Sequence, residues 1–121
     1  MSYAVLFPGQ GSQFVGMGVD LFAAQPDLLG ERADAIVGFS LQSVSLDGPA
    51  EELTRTEHAQ PSLFALSYAL WVEFAMVAPP PAATAGHSLG EYTALAAAHV
   101  LDYPTALGVV AERGRAMAEV A

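Results

Sequence analysis

The chain has 121 residues, no cysteine and a formal net charge of −9, from 13 acidic and 4 basic side chains. This length suits one domain with a real core, and a hydrophobic share of 53% excludes a disordered chain. The negative charge repels phosphate backbones, so nucleic acid is not expected as a partner. The absence of cysteine excludes disulfides, thiolate metal sites and cysteine nucleophiles, and no metal site is predicted.

The N-terminal residues predict a strand and no targeting signal. They lack the positive region of a signal peptide, and their apolar run breaks at Pro8. We therefore expect a cytoplasmic protein that does not enter a membrane. Residues 3–7 predict a short buried strand of a parallel sheet.

A polar, glycine-rich loop follows, with the sequence Gly9-Gln10-Gly11-Ser12-Gln13. Nucleotide binding is disfavoured, because Phe14 replaces the third glycine of the G-x-G-x-x-G pattern. Loops at the carboxyl ends of parallel strands converge on one site, so this loop could bring a backbone N–H and the Gln10 side chain there. A simple turn into the next helix is the alternative.

Apolar residues at helical spacing predict helices over residues 17–25 and 27–39, separated by Pro26. Residues 39–49 are rich in Ser and Gly and predict a loop. A short turn is expected over residues 51–53.

The proline at Gln60-Pro61 predicts the start of a strong helix over residues 62–76. This helix is apolar nearly all round, so we expect it to be buried, with Trp71 in the core. Three consecutive prolines then close it.

The most informative stretch is Gly86-His87-Ser88-Leu89-Gly90. It has the G-x-S-x-G form of a nucleophile elbow, a strained strand-to-helix turn that exposes a serine. Residues 82–85 predict the strand before it and residues 91–98 the helix after it. A side chain at either glycine would press against the neighbouring strand or helix. The alternative is a plain glycine-rich turn with no catalytic serine.

The last predicted element is a helix over residues 105–120, with Pro104 near its start. The order of strands and helices predicts an α/β fold with a parallel sheet. Two strands are too few for a stable sheet, so the chain is interpreted as part of a larger domain.

Four motifs in order carry a resemblance that spans the chain: residues 7–13, residues 60–63, residues 86–92 and Arg113-Gly114-Arg115-Ala116-Met117. They resemble the malonyl-CoA:acyl carrier protein transacylases and the acyltransferase domains of polyketide synthases. The resemblance implies that residues 1–121 are the N-terminal segment of an α/β-hydrolase-like acyltransferase domain, and that a ferredoxin-like subdomain is absent from this chain.

The resemblance also implies a role for each site residue. Ser88 would carry the malonyl or related acyl group as an ester, between coenzyme A and the phosphopantetheine thiol of an acyl carrier protein. The backbone N–H groups of Gln10 and Leu89 would form the oxyanion hole. Arg113 would bind the free carboxylate of the acyl group, and Gln60 and His87 would line the pocket. No bound cofactor is implied beyond the thioester substrate, acyl-CoA.

In the resembling family a histidine further along the sequence activates the serine, and this chain stops before it. His99 lies eleven residues after Ser88, about 16 Å along a helix, and is too distant to replace it. His58 cannot be placed from the sequence. His99 also stands where the family has glycine, and a protonated His99 near a helix end would suit the helix dipole. We therefore expect this chain alone to be inactive, with the missing C-terminal half as a possible separate partner chain.

Two other functions stay open. A non-catalytic remnant could bind a carrier protein or a partner chain through an uncovered apolar edge. A serine esterase-type hydrolase would share the elbow around Ser88, although Arg113 and the Gln10 loop disfavour it. Malonyl and methylmalonyl transfer, and the fatty acid and polyketide pathways, are not distinguished by the sequence.

Overall fold

A computed structural model describes residues 2–120. Strands β1 (Ala4–Phe7) and β2 (Ala83–Gly86) pair in parallel, with Ala4 opposite Ala83 and Phe7 opposite Gly86. Both predicted strands and their parallel arrangement are confirmed. The described residues thus form a small α/β unit with a two-stranded sheet.

Seven α-helices accompany the strands in the described residues. They are α1 (Val19–Ala24), α2 (Pro26–Leu29), α3 (Glu31–Val37), α4 (Ala50–Thr54), α5 (Thr56–Ala75), α6 (Gly90–Ala97) and α7 (Tyr103–Val120).

The prediction of one helix over residues 27–39 is wrong, because the helix is interrupted at Gly30. Gly30 has φ −99° and ψ −146°, outside the helical region, and it separates α2 from α3. A Cβ atom at Gly30 would lie 2.5 Å from the carbonyl oxygen of Pro26. The periodicity of apolar residues continued across the break and concealed it.

The predicted loop over residues 39–49 is also wrong in part. It contains a π-helical segment, Ser43–Asp47, whose Ser45 is buried. The Ser45 carbonyl accepts a hydrogen bond of 2.8 Å from the Gly16 N–H. The polar composition of residues 39–49 concealed this packed segment. The predicted turn at residues 51–53 lies inside α4.

Helix α5 begins at Thr56, earlier than predicted, and Pro61 lies inside it. Pro61 does not mark the start of the helix, as its sequence position predicts, but lies in the second turn, where it removes only one intrahelical hydrogen bond. Residues 59–66 are all buried, and this packing compensates for the lost bond.

The core lies between α5, α7 and the shorter helices. Phe64, Leu107 and Val110 are fully buried there. The Tyr103 ring stacks on the rings of Phe64 and Tyr68, at centroid distances of 5.7 and 4.9 Å. The Tyr103 hydroxyl donates to the Leu28 carbonyl at 2.7 Å, and burial raises the pKa of Tyr103, so the phenol remains a neutral donor.

The side of the molecule formed by β1 and the second half of α5 is open. Leu6 is 75% exposed and Leu70 is 58% exposed, beside an apolar groove of about 240 Å³. The prediction that β1 and the helix over residues 62–76 are buried is therefore wrong for this side. Trp71 is half-buried and packs its ring edge-on against Phe7, with centroids 6.3 Å apart.

Candidate active site

The stretch from β2 to α6 forms a sharp turn at Ser88. Ser88 has φ 53°, a left-handed conformation that is costly for residues other than glycine. A Cβ atom at Gly86 would overlap the Gly90 carbonyl, and one at Gly90 would overlap the Phe7 carbonyl. The two glycines therefore let α6 turn back tightly against β1. This is the backbone geometry that the G-x-S-x-G spacing predicts.

The turn leaves one free backbone donor beside the serine, and a second free donor is in the loop after β1. Ser88 is exposed and Leu89, which precedes the first residue of α6, is buried. The backbone N–H groups of Gln10 and Leu89 donate to no acceptor among residues 2–120. Free N–H groups at a helix N-terminus favour negative charge, so the surroundings of Ser88 suit a developing oxyanion.

The glycine-rich loop after β1 lies against this turn. A Cβ atom at Gly9 would be 2.7 Å from the His87 carbonyl oxygen and 3.1 Å from its Nδ1. The loop and the elbow are thus in direct contact through Gly9 and His87. The Gln10 side chain contacts α5 instead: its Nε2 donates to Thr56 Oγ1 at 3.0 Å.

Arg113 of α7 connects the predicted site residues. Its Nη1 donates to Gln60 Oε1 at 2.6 Å and its Nη2 donates to Ser88 Oγ at 3.0 Å. Its guanidinium carbon lies 5.6 Å from the centre of the Tyr92 ring, within range of a cation–π interaction. The structure therefore brings Ser88, Arg113 and Gln60 into one hydrogen-bonded group.

Gln60 is fully buried and has a partner for each half of its amide. Its Oε1 accepts from Arg113, and its Nε2 lies 3.2 Å from the Met117 sulfur. A buried amide with both ends engaged has one preferred orientation, and it fixes the guanidinium in turn.

Three residues of the site were given no role by the sequence reasoning. Thr56, Tyr92 and Met117 contact Gln10, Arg113 and Gln60 respectively. Tyr92 lies in the first turn of α6, four positions after Ser88, which lies in the turn before that helix. Thr56 and Met117 each stand four positions along a helix from Gln60 and Arg113, and side chains at that spacing share a helix face. That spacing was the available signal.

The three histidines do not reach the serine hydroxyl. The exposed His87 lies against Gly9, and the His58 Nδ1 is 2.8 Å from the Glu52 carbonyl oxygen. His99 is exposed beyond the end of α6. Within the described residues, Ser88 Oγ therefore forms a side-chain hydrogen bond with Arg113 alone. The arrangement supplies a serine, free N–H groups and a cation.

A family profile described as the acyl transferase domain matches residues 5–121. The chain belongs to the acyl transferase family. Its resemblance to the malonyl-CoA:acyl carrier protein transacylases is confirmed by relatives of that name. The malonyl CoA-acyl carrier protein transacylase of Bacillus subtilis (strain 168) is 47% identical over 118 residues, covering 96% of this chain and 37% of that protein.

Solved structures of acyl transferases have the same fold as this chain. The malonyl-CoA:ACP transacylase of Synechocystis sp. PCC 6803 superposes with a TM-score of 0.92 at 40% identity, covering 98% of this chain and 41% of its own. A solved complex described as a type II PKS acyl-carrier protein with its malonyl-transacylase also matches this chain. The TM-score is 0.88 at 41% identity, and the match covers 100% of this chain and 40% of the matched chain.

This acyl transferase chain spans about two fifths of the length of the relatives it matches. In residues 2–120, no helix is both long and apolar enough to cross a membrane. The same residues hold no cluster of three or more His, Asp or Glu side chains placed to bind a metal ion.

Proposed function

We propose that this chain provides the nucleophile and the carboxylate-binding group of an acyltransferase that moves a malonyl group from coenzyme A to an acyl carrier protein. Residues 1–121 would be the N-terminal segment of an α/β-hydrolase-like domain. The two parallel strands and the elbow between β2 and α6 support this assignment.

The observation that carries the proposal is the placement of Arg113, 3.0 Å from Ser88 Oγ. A malonyl ester on Ser88 would carry a carboxylate a few bonds from that oxygen. Guanidinium binds a carboxylate through two parallel hydrogen bonds, and Gln60 would keep it oriented. The acyl group of a neutral ester has no carboxylate for this cation to bind, so the position of Arg113 favours a malonyl substrate.

The chemistry would proceed in two balanced steps. Ser88 Oγ attacks the thioester carbonyl, the C–S bond breaks, and the serine proton passes through a base to the thiolate of coenzyme A. The phosphopantetheine thiol then attacks the ester carbonyl, the C–O bond to Ser88 breaks, and the thiol proton returns through the base to Ser88 Oγ. The N–H groups of Gln10 and Leu89 would stabilise the oxyanion of each step, and His87 would line the pocket.

The base would come from outside this chain. Since His58, His87 and His99 make other contacts or lie apart, we propose that a histidine of the missing C-terminal half, present as a partner chain or as a continuation, takes the serine proton. The ferredoxin-like subdomain would belong to the same half. The open side of β1 and α5 supports a partner of this kind, and a non-catalytic binding role would use the same surface.

The relatives support a proposal for the acceptor and the pathway. The Bacillus subtilis relative is named for malonyl-CoA and acyl carrier protein, and one solved relative is bound to a type II PKS carrier. We propose an acyl carrier protein with a phosphopantetheine thiol as acceptor, in fatty acid or polyketide synthesis.

The test treats the purified chain with malonyl-CoA or acetyl-CoA and measures two responses. Intact mass spectrometry detects an acyl adduct, and NMR follows the Arg113 Nε–H resonance. We expect malonyl-CoA, but not acetyl-CoA, to shift that resonance. Any adduct should be malonyl and should disappear in Ser88→Ala.

Arg113→Lys is the matched variant, since it keeps the charge and loses the paired donors. Losing charge-assisted hydrogen bonds should weaken malonyl-CoA binding by roughly 10- to 150-fold. Equal responses to acetyl-CoA and malonyl-CoA, or no response to either in the folded chain, would contradict the proposal.

A further inference from the structure

We propose that Thr56 is a positioning residue that holds the Gln10 loop against the nucleophile. The inference rests on the proposed function for its catalytic meaning. The observation behind it is the hydrogen bond from Gln10, in the loop after β1, to Thr56, the first residue of α5. The two residues are 46 positions apart in sequence.

Within the Gln10 loop the Gly11 N–H donates to Gln13 Oε1 at 2.8 Å, but this bond does not tie the loop to the rest of the molecule. Gln10 is exposed, and it stands between Gly9 and Gly11, the latter with φ 114°. Glycine on both sides gives this backbone wide conformational freedom. On one side Gly9 presses against His87, and on the other the Gln10 side chain reaches Thr56. Removing the Thr56 hydroxyl would leave the loop fixed at one end only.

The first two turns of α5 organise both halves of the site. Thr56 and Gln60 are four residues apart and therefore share one face of the helix, about 6 Å apart along its axis. Thr56 binds the side chain of Gln10, while Gln60 binds Arg113. One rigid element thus sets the spacing between the oxyanion donor and the carboxylate-binding group.

Helix α7 is fixed to the same turn. A Cβ atom at Gly114 would lie 3.1 Å from the Thr56 carbonyl oxygen and 3.2 Å from Glu57 Cα. The residue after Arg113 therefore touches the backbone of Thr56. The half-buried Thr56 contacts the loop through its hydroxyl and α7 through its carbonyl.

The test compares Thr56→Val, which has the same shape without the hydroxyl, with Thr56→Ser, which keeps it. Backbone ¹⁵N relaxation in the purified chain gives the order parameters of Gln10 and Gly11. We expect values near 0.85 in the unmodified chain and in Thr56→Ser, and a fall to about 0.6 or less in Thr56→Val.

Thr54→Val is the matched control, because Thr54 is exposed and makes no recorded side-chain hydrogen bond within residues 2–120. It should leave the loop unchanged. The order parameters of α3 and α7 should not change in any variant. Unchanged values at Gln10 in Thr56→Val, the same loss in Thr56→Ser, or a loss spread over the whole chain would each overturn the inference.

This measurement needs no acyl substrate, so failure of the proposed transferase reaction would leave it intact. A second readout links it to that reaction. Where malonyl-CoA forms an adduct on Ser88, Thr56→Val should slow its formation about fivefold, the effect of one typical hydrogen bond, while Thr56→Ser restores the rate. An unaltered rate despite a mobile loop would show that Thr56 does not position the oxyanion donor.

Discussion

The two sides of this molecule differ in how completely the chain covers its own apolar surface. On the closed side, α5 and α7 bury Phe64, Leu107 and Val110 completely. On the open side, β1 and the end of α5 expose Leu6, Leu70 and Phe74. The candidate site lies where α6, α7 and the start of α5 meet the carboxyl ends of the strands.

This difference separates the contacts that the chain forms by itself from the surface that a partner would cover. The closed side fixes Gln60, Arg113 and Ser88 through contacts within the chain. The open side carries exposed apolar surface, which in soluble proteins marks interaction sites. The group around Arg113 should therefore be formed in the isolated chain, even where catalysis requires more.

The sharpest test of the comparison exchanges one leucine on each side for alanine. Leu107 is fully buried and Leu6 is 75% exposed. Leu107→Ala should lower the free energy of unfolding by about 2–5 kcal/mol, because it leaves a cavity in a packed core. Leu6→Ala should change it by less than about 0.5 kcal/mol. Urea denaturation followed by circular dichroism measures both.

A large loss in Leu6→Ala would break the comparison, since it would mean that the open side is already covered, for example by a second copy. Repeating the denaturation at several protein concentrations is the control. A transition that does not move with concentration excludes self-association.

The next test uses two glycines of α7. Gly114→Ala should destabilise the chain by about 1–2 kcal/mol, because its Cβ would crowd the backbone of Thr56 and Glu57. Gly108→Ala, whose Cβ would meet only the Ile36 Cγ2 at 3.8 Å, should stabilise it by about 0.5–1 kcal/mol. Thermal denaturation measures the change in stability of both variants. A change of the same sign in both would show that α7 does not lie so close to α5.

A smaller effect is expected at His99, on the open side. His99 has φ 63° after α6, and the Val100 N–H donates to the Leu95 carbonyl at 2.9 Å. This is a Schellman ending, which favours glycine at the left-handed position. His99→Gly should stabilise the chain by about 1 kcal/mol. His99→Ala keeps the strain and serves as the control; a gain there as well would contradict the explanation.

The smallest effect concerns the start of α7. Asp102 Oδ1 accepts the Thr105 N–H at 2.8 Å, and this hydrogen bond lowers the pKa of Asp102. The charged form therefore stabilises the fold above the ordinary carboxyl pKa of about 3.9, and this contribution is lost as the pH falls through the lowered value. Asp102→Asn keeps the capping oxygen without the charge, so its melting temperature should be the lower of the two at neutral pH. The two melting temperatures should converge as the pH falls through the lowered pKa of Asp102.

The local signals predicted much of the fold. Both strands, their parallel pairing and the elbow followed from short apolar runs and glycine spacing. The errors came from features that only packing decides. Gly30 breaks a pattern that looks continuous, Pro61 sits inside a helix that packing stabilises, and the segment around Ser45 is buried although it is polar.

The site was predictable to the extent that motifs mark it. The resemblance named Gln60, Ser88 and Arg113, and the structure places them in hydrogen-bonding distance. The motifs do not mark Thr56, because its hydrogen-bond partner lies 46 residues away and its spacing of four from Gln60 is the one local signal. His99 was explained by its charge, whereas its backbone conformation is the stronger constraint.

The parallel pairing of β1 and β2 has a consequence for the order of folding. The His87 N–H donates to the Phe7 carbonyl at 3.2 Å, so the turn at Ser88 is held by a contact that closes a loop of almost 80 residues. Closing so long a loop is slow compared with forming helices from local contacts. We therefore expect pulsed hydrogen exchange during refolding to protect α5 before the His87 amide, which would make the strained serine one of the last features acquired by the newly folded chain.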